Sequence, residues 1–256
     1  MLKTMIKVVK EASEIMLSAQ DIENNTEKKG DKNFVTIYDK KVQAYIRTHL
    51  NETYPDIKFL GEEEDCDKTD PYNGYCFICD PIDGTANFRR QYKQSSISLA
   101  LAKDGEVICG VIIHPYLKEV FYAEKGKGAF LNGEPIHVAD NSFKDSFICF
   151  GTSPYYPDLN RKTGEVIAKI LPECEDVRRT GSAALDFCYV ACGRHDMFFE
   201  FSLFPWDYAA GMIIVEEAGG IITDENKNKL PLHKRSQVYA GNPRVYKEFF
   251  DRNYFM

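Results

Sequence analysis

Tyr75-Cys76-Phe77-Ile78-Cys79-Asp80-Pro81-Ile82-Asp83-Gly84-Thr85-Ala86-Asn87-Phe88 is the stretch on which the reading of the chain turns. Its first five residues form a continuous apolar run, as in a strand buried on both faces. Asp80 then stands at the strand's carboxyl end. Pro81 fixes φ and carries no N–H, so strand pairing is expected to stop there and the chain to turn, which brings Asp83 round beside Asp80. Two neighbouring carboxylates repel unless one keeps a proton or a cation lies between them, and a divalent metal is the simpler account. Gly84-Thr85 next opens a helical turn whose free backbone N–H groups would hold an anion. Taken alone, the same residues also read as an ordinary Asp-Pro/Asp-Gly turn with solvated carboxylates.

The totals narrow the choice. A chain of 256 residues is expected to form one domain, or one with two lobes, with a sizeable core. Its net charge of −7 supplies no basic excess for nucleic acid or an acidic membrane, so neither is expected as a direct partner. Met1 to Gln20 spaces Lys3, Lys7, Lys10 and Glu11 through apolar positions, an amphipathic helix rather than a signal segment. No stretch approaches membrane-spanning length, and a cytoplasmic location is expected. Of the eight cysteines, Cys76 and Cys79 form a C-x-x-C, but on a strand an odd offset sends them to opposite faces. They read as buried thiols, as do Cys188 and Cys192.

The first helix is expected over about Leu2 to Ser18, followed by a mobile polar loop from Asp21 to Asn33 that holds Lys28, Lys29 and Gly30. A second helix runs from about Ile37 to Glu52, with Asp39 in its first turn, where the helix dipole favours a carboxylate. Ile57 to Leu60 is a short strand ended by Gly61-Glu62-Glu63. The acidic run that continues through Glu64, Asp65 and Asp67 reads mostly as a solvated face, Glu62 excepted because it ends a strand beside a glycine, as Asp80 does. Ser96–Lys103, Glu106–His114 and Glu119–Glu124 form an antiparallel meander with a turn at Asp104-Gly105, and Gly126-Lys127-Gly128 reads as a hairpin rather than a phosphate loop. A boundary near Ala139 to Lys144 separates an α+β lobe, residues 1–142, from an α/β lobe, residues 143–256, of alternating strands and helices. In the second lobe Pro205 opens a helix with Asp207 in its first turn, on a small apolar face that would bury the carboxylate and require a partner for it.

Glu62, Asp80, Asp83 and Asp207 all stand at element ends and together make a hard-oxygen cage suited to magnesium. Gly61-Glu62-Glu63, the Asp80 to Phe88 stretch, and Trp206-Asp207-Tyr208-Ala209-Ala210-Gly211 with Glu217-Ala218-Gly219-Gly220 resemble the inositol monophosphatase family in order and spacing, over nearly the whole chain. The resemblance implies a layered α-β-α-β-α sandwich of the inositol monophosphatase / fructose-1,6-bisphosphatase type. It also implies a homodimer and a lithium-sensitive, magnesium-dependent phosphatase with two or three Mg2+ ions. By the same resemblance, Glu62, Asp80 and the Ile82 carbonyl would bind one metal and Asp80, Asp83 and Asp207 the second, with Glu62 helping a third. Asp39 and Thr85 would orient and deprotonate the attacking water, and the Gly84 and Thr85 N–H groups would hold phosphate oxygens. Glu200, Gly181, Ser182, Ala183 and Thr152 would line the substrate pocket, and Lys28 would fall in a metal-adjacent loop.

The chain departs from inositol-type members at Arg89-Arg90-Gln91-Tyr92, where they carry a more apolar segment with a histidine. That implies a more basic pocket rim, suited to a second phosphate or a nucleotide. The expected substrate is a small phosphorylated polyol, sugar or nucleotide: inositol 1-phosphate first, fructose 1,6-bisphosphate or 3′-phosphoadenosine 5′-phosphate as alternatives, histidinol phosphate behind them. A catalytically silent regulatory or RNA-associated protein on the same fold is the reading from another class.

Overall fold

The computed structural model describes residues 1–30, 33–63 and 69–254. Its order begins α1 (Leu2–Leu17), β1 (Thr26–Gly30), β2 (Asn33–Thr36), α2 (Ile37–Thr53), β3 (Lys58–Gly61), β4 (Tyr75–Asp83), α3 (Thr85–Arg89), β5 (Ser96–Lys103), β6 (Glu106–His114) and β7 (Glu119–Glu124). It continues β8 (Ala129–Leu131), β9 (Glu134–Ile136), β10 (Phe147–Phe150), α4 (Pro157–Ile170), β11 (Asp176–Arg178), α5 (Ala183–Ala191), β12 (Met197–Leu203), α6 (Pro205–Glu217), β13 (Ile221–Thr223), β14 (Ser236–Gly241) and α7 (Pro243–Arg252).

Two sheets organise these elements. β3 to β9 lie side by side in chain order in a seven-stranded sheet, antiparallel except for the β3/β4 pair. The second sheet runs β11-β10-β12-β14-β13, parallel over its first three strands and antiparallel over the rest. The layering follows from alternation along the strands. On β4, Phe77 and Cys79 face α1 and α2 and pack with Val8, Val42 and Ile46. Cys76 and Ile78 face the other way, onto α5 and α6. Those two helices fill the space between the sheets: Phe198 and Ala240 of the smaller sheet meet them from the far side. Ile148, Phe199 and Tyr239 then cover the outer face with α4 and α7. The expected α-β-α-β-α sandwich is thus observed, and Cys76 and Cys79 lie in separate cores as buried free thiols. α6 has almost no polar face because both its sides are covered; Met212 to Val215 are all buried. Among the described residues no helix is long and apolar enough to cross a membrane.

Three expectations need correction. The stretch read as a mobile loop is a β-hairpin, in which Glu27 pairs with Val35 and Lys28 with Phe34. The charged residues point outward and conceal the strand pattern. Pairing on β4 does not stop at Pro81 but resumes at Asp83, with consequences for the site. Glu63 is no part of a solvated face: its side chain is 4% exposed and pairs with Lys29 at 2.6 Å. Glu64, Asp65 and Asp67 lie outside the described residues. Elsewhere the hairpin readings hold. Asp104-Gly105 and Asn132-Gly133 carry positive φ at both turn residues, the backbone that twists with the flanking strands. The Gly126-Lys127-Gly128 loop does grip an anion, but it is the α6 carboxylate Glu217, which accepts from the Gly126 and Gly128 N–H groups at 2.7 Å each.

Candidate active site

The site begins with an irregularity in β4. Residues three apart on a strand should point to opposite faces. Asp80, however, sits opposite Ser98, and Asp83 opposite Ser96, so β4 advances three residues while β5 advances two. The extra residue is a β-bulge at Pro81-Ile82, and it resets the alternation so that both carboxylates leave by the same face. Pro81 fits there because a bulged residue needs no ladder donor. Asp207, in the first turn of α6, completes a trio whose ligand oxygens all lie within 4.8 Å of one another.

Each of the three has one oxygen held by the fold. Ile82 N–H donates to Asp80 Oδ1 at 3.0 Å, and Phe204 N–H to Asp207 Oδ2 at 2.6 Å. Asp83 Oδ2 accepts from the Ser182 hydroxyl and from Ala184 N–H at 2.9 Å, at the start of α5. At this spacing, and at an effective dielectric of about 20, each ionised pair repels by about 3–4 kcal/mol, or about 10 kcal/mol for three pairs. That is comparable to the whole stability of a domain, roughly 5–15 kcal/mol. Without a counter-charge the trio cannot be fully ionised. Burial accordingly raises all three carboxyls, with neighbouring carboxylates adding to the shift of Asp80 and Asp207. A donor set of oxygens alone, each with a second oxygen or lone pair to offer, fits a hard divalent cation.

Glu62 follows β3, and its N–H extends the β3/β4 pairing to Cys79 O at 3.1 Å. It lines the same cavity, of about 430 Å³, as Asp80, Ile82 and Asp83, but is not part of the tight trio. Burial raises its carboxyl too, with Glu63 and Asp207 reinforcing and Lys29 opposing.

Asp39 joins two readings. Its Oδ2 accepts from Thr36 N–H at 2.7 Å and the Thr36 hydroxyl at 2.5 Å, and Thr36 Oγ1 accepts in return from Asp39 N–H, a capping box that starts α2. Its free Oδ1 lies 3.3 Å from Thr85 Oγ1. Asp39 is fully buried, and the hydroxyl of Thr85, which lines the cavity, links it to the site. Burial, partly offset by the Thr36 bonds, lifts its carboxyl to about 6. The single Thr85 hydroxyl proton has two acceptors, Asp39 Oδ1 and Ile82 O at 3.0 Å. Gly84, the residue before α3, has φ of +84°, and a Cβ there would meet Gln94 O at 2.9 Å and Gly181 O at 3.0 Å, so only glycine fits.

Of the remaining expected residues, Thr152, Gly181, Ser182, Ala183 and Glu200 all line the cavity. Ser182 also bonds Asp83 and, through its hydroxyl at 3.4 Å from Leu185 N–H, caps α5. Burial first, then Asp186 and Asp83, raise Glu200 to about 8. Two expectations shift by residue. Lys29, not Lys28, lines the cavity. The basic rim is not built by Arg89-Arg90: Arg89 lies over the Phe34 ring at 3.9 Å and pairs with Glu23 at 3.7 Å, and the cavity's arginine is Arg179. The sequence reading missed Arg179, Asp186 and Tyr155, all on the cavity wall. Arg179 and Asp186 flank the Gly181-Ser182-Ala183 segment, and that adjacency was the available signal. Nothing local marks Tyr155.

The five-layer fold carries, beside a glycine-initiated turn, a carboxylate trio that could hold a metal ion. The sequence model of the inositol monophosphatase family matches residues 1–252, and the chain belongs to that family. It is 40% identical to the fructose-1,6-bisphosphatase/inositol-1-monophosphatase of Thermotoga maritima, over 92% of this chain and 89% of that one. It is 35% identical to Nus factor SuhB of Escherichia coli, over 96% and 93%. Among solved structures, a Thermotoga maritima IMPase superposes with a TM-score of 0.84 at 35% identity, covering 96% of this chain and 93% of that one.

Proposed function

We propose that this chain is a magnesium-dependent phosphate monoester hydrolase acting on a small phosphorylated polyol or sugar. Inositol 1-phosphate is the first candidate and fructose 1,6-bisphosphate the second. The observation that carries the reading is that Thr85 belongs at once to the anion turn and to the Asp39 pair, beside the carboxylate trio. Glu62, Asp80 and the Ile82 carbonyl would hold one ion, and Asp80, Asp83 and Asp207 a second, with Glu62 available to a third. Bound magnesium supplies charge neutralisation and acidification of water.

The chain's own residues do the rest. Gly84 and Thr85 N–H groups, at the open end of α3, hold phosphoryl oxygens. Thr85 Oγ1 accepts a hydrogen bond from the attacking water and passes its own proton toward Asp39 Oδ1. The capping box fixes Asp39 so that this oxygen is the one left for the task. Direct in-line displacement by water follows, because each trio carboxylate has one oxygen held by a protein donor and would give the other to a metal, leaving none to attack phosphorus. Glu200 provides an acceptor for polyol hydroxyls, and Arg179 on the same wall suits a second phosphate, in keeping with the bisphosphatase name of the Thermotoga relative.

The similarity to Nus factor SuhB favours a second reading, a regulatory role on the same fold. Phosphate release from inositol 1-phosphate, fructose 1,6-bisphosphate, 3′-phosphoadenosine 5′-phosphate and histidinol phosphate, with and without magnesium, separates the two. Release that needs magnesium supports the hydrolase. Absence of release from every substrate rejects it in favour of the regulatory reading.

A further inference from the structure

A second group of donors lies just behind the cavity wall. Cys149 comes from β10, Asp186 from the first turn of α5 and His195 from the segment between α5 and β12. Their ligand atoms lie within 4.8 Å of one another, and all three residues are buried. Cys149 Sγ is 3.1 Å from Asp186 Oδ1, and His195 Nδ1 is 3.9 Å from the same oxygen. The last distance is too long for a hydrogen bond. His195 Nδ1 is buried and has no hydrogen-bond partner among the described residues. A buried nitrogen of this kind calls for an explanation, because nearly all such atoms in folded proteins are satisfied.

The ring is held toward the group rather than left there by chance. Its edge-to-face contact with Tyr189 has centroids 5.3 Å apart, and His195 N–H bonds Tyr189 O at 3.0 Å. A neutral imidazole has one ring nitrogen with a lone pair to give a metal. A tetrahedral zinc ion, at about 2.3 Å from sulfur and about 2.0–2.1 Å from nitrogen and oxygen, requires ligand atoms about 3.3–3.6 Å apart. The observed 3.1 and 3.9 Å bracket that span, so small side-chain rotations close the site.

We propose that Cys149, Asp186 and His195 form a second metal site of zinc type, distinct from the magnesium cage, with its fourth position open to the Thr180 hydroxyl or a water. Thr180 Oγ1 already lies 2.8 Å from Asp186 Oδ1. Thiolate, imidazole and one carboxylate select zinc over magnesium, whereas the oxygen-only trio selects the reverse. A cleft of about 340 Å³ adjoins the group, lined by Thr180 and His195 together with Arg178, Arg179 and Arg194. Binding releases the Cys149 thiol proton and the proton that the Asp186 carboxyl carries in the neutral network, since thiolate and carboxylate are the ligands.

The test uses the full chain, stripped of metal by a chelator and then saturated with magnesium to fill the oxygen cage. Cobalt(II), a spectroscopic stand-in for zinc, is titrated in. The expected result is a thiolate-to-cobalt charge-transfer band that saturates at one equivalent and disappears on adding zinc. Cys149→Ser abolishes the band, and His195→Gln weakens cobalt binding by at least about tenfold, the lower end of what even an outer-shell change costs a metal site. The proposal is overturned by a wild-type protein that shows no thiolate band, by a band that survives in Cys149→Ser, or by unchanged affinity in His195→Gln. The His195 variant decides the matter alone if Cys149→Ser does not fold.

Discussion

The Asp80/Asp83/Asp207 trio and the Cys149/Asp186/His195 trio are both clusters of three potential ligands, buried apart from the half-buried Asp207, yet the fold treats them differently. In the first, every acceptor is a carboxylate, so the protein alone can relieve the crowding only by protonation. In the second, Asp186 receives the Thr180 hydroxyl and the Cys149 thiol, and burial above all raises its carboxyl to about 8, so a neutral network can stand without an ion. The lesson is that burial alone does not mark a catalytic carboxylate. What marks it is a crowd of carboxylates whose mutual repulsion the protein donors do not offset.

The largest expected effect tests that distinction. Asp207→Asn should lower turnover by about 10³-fold, on the scale of losing a principal electrostatic stabiliser, while leaving the fold intact. Asp186→Asn should retain far more turnover under the same magnesium concentration. Equal losses in the two, measured as kcat with circular dichroism as the folding control, would erase the contrast.

A smaller loss, about 10²-fold, is expected for Asp39→Asn, the scale of a general base. Asp39 must be ionised to accept a proton, and its carboxyl sits at about 6. Activity of the wild type should therefore rise through pH 6 with a one-proton slope, and the acid limb should vanish in the variant. A limb that persists unchanged assigns it to another group.

The smallest effect concerns stability. Glu200 is raised from the ordinary 4.5 to about 8 in the folded chain. Between those values the folded state binds more protons than the unfolded one, so metal-free protein should lose stability as pH rises from about 4.5 to 8 and level off above. Glu200→Gln should flatten that slope, which thermal melts across the range would read. An unaltered slope would place the shift elsewhere.

Much of this was legible in the sequence because it rests on local rules. Helix bounds, the meander and the Asp104-Gly105 turn follow from periodicity and turn chemistry, and Glu62, Asp83 and Asp207 stand at element ends where strand or helix rules put them. What escaped has a common cause. The β1/β2 hairpin shows no apolar alternation at Thr26–Gly30, since all but its first residue are exposed. Arg89 seemed free until Phe34, fifty-five positions back, covered it. The Cys149 group draws on three elements that no spacing rule connects. Contacts of this sort are set by the packing of layers, and a one-dimensional pattern does not encode them.

The bulge at Pro81-Ile82 gives the motif a parity. Deleting one residue there would remove the bulge yet leave the two carboxylates two positions apart on one face, whereas drawing the three-residue step out as regular strand would send Asp83 through the sheet, into the apolar layer beneath α1 and α2. The cage therefore depends on counting as much as on chemistry. A designer who transplants Asp80 to Thr85 into another antiparallel sheet must carry the partner strand's Ser96 and Ser98 with it, because the two-against-three register, shared between strands, is what makes the carboxylates meet.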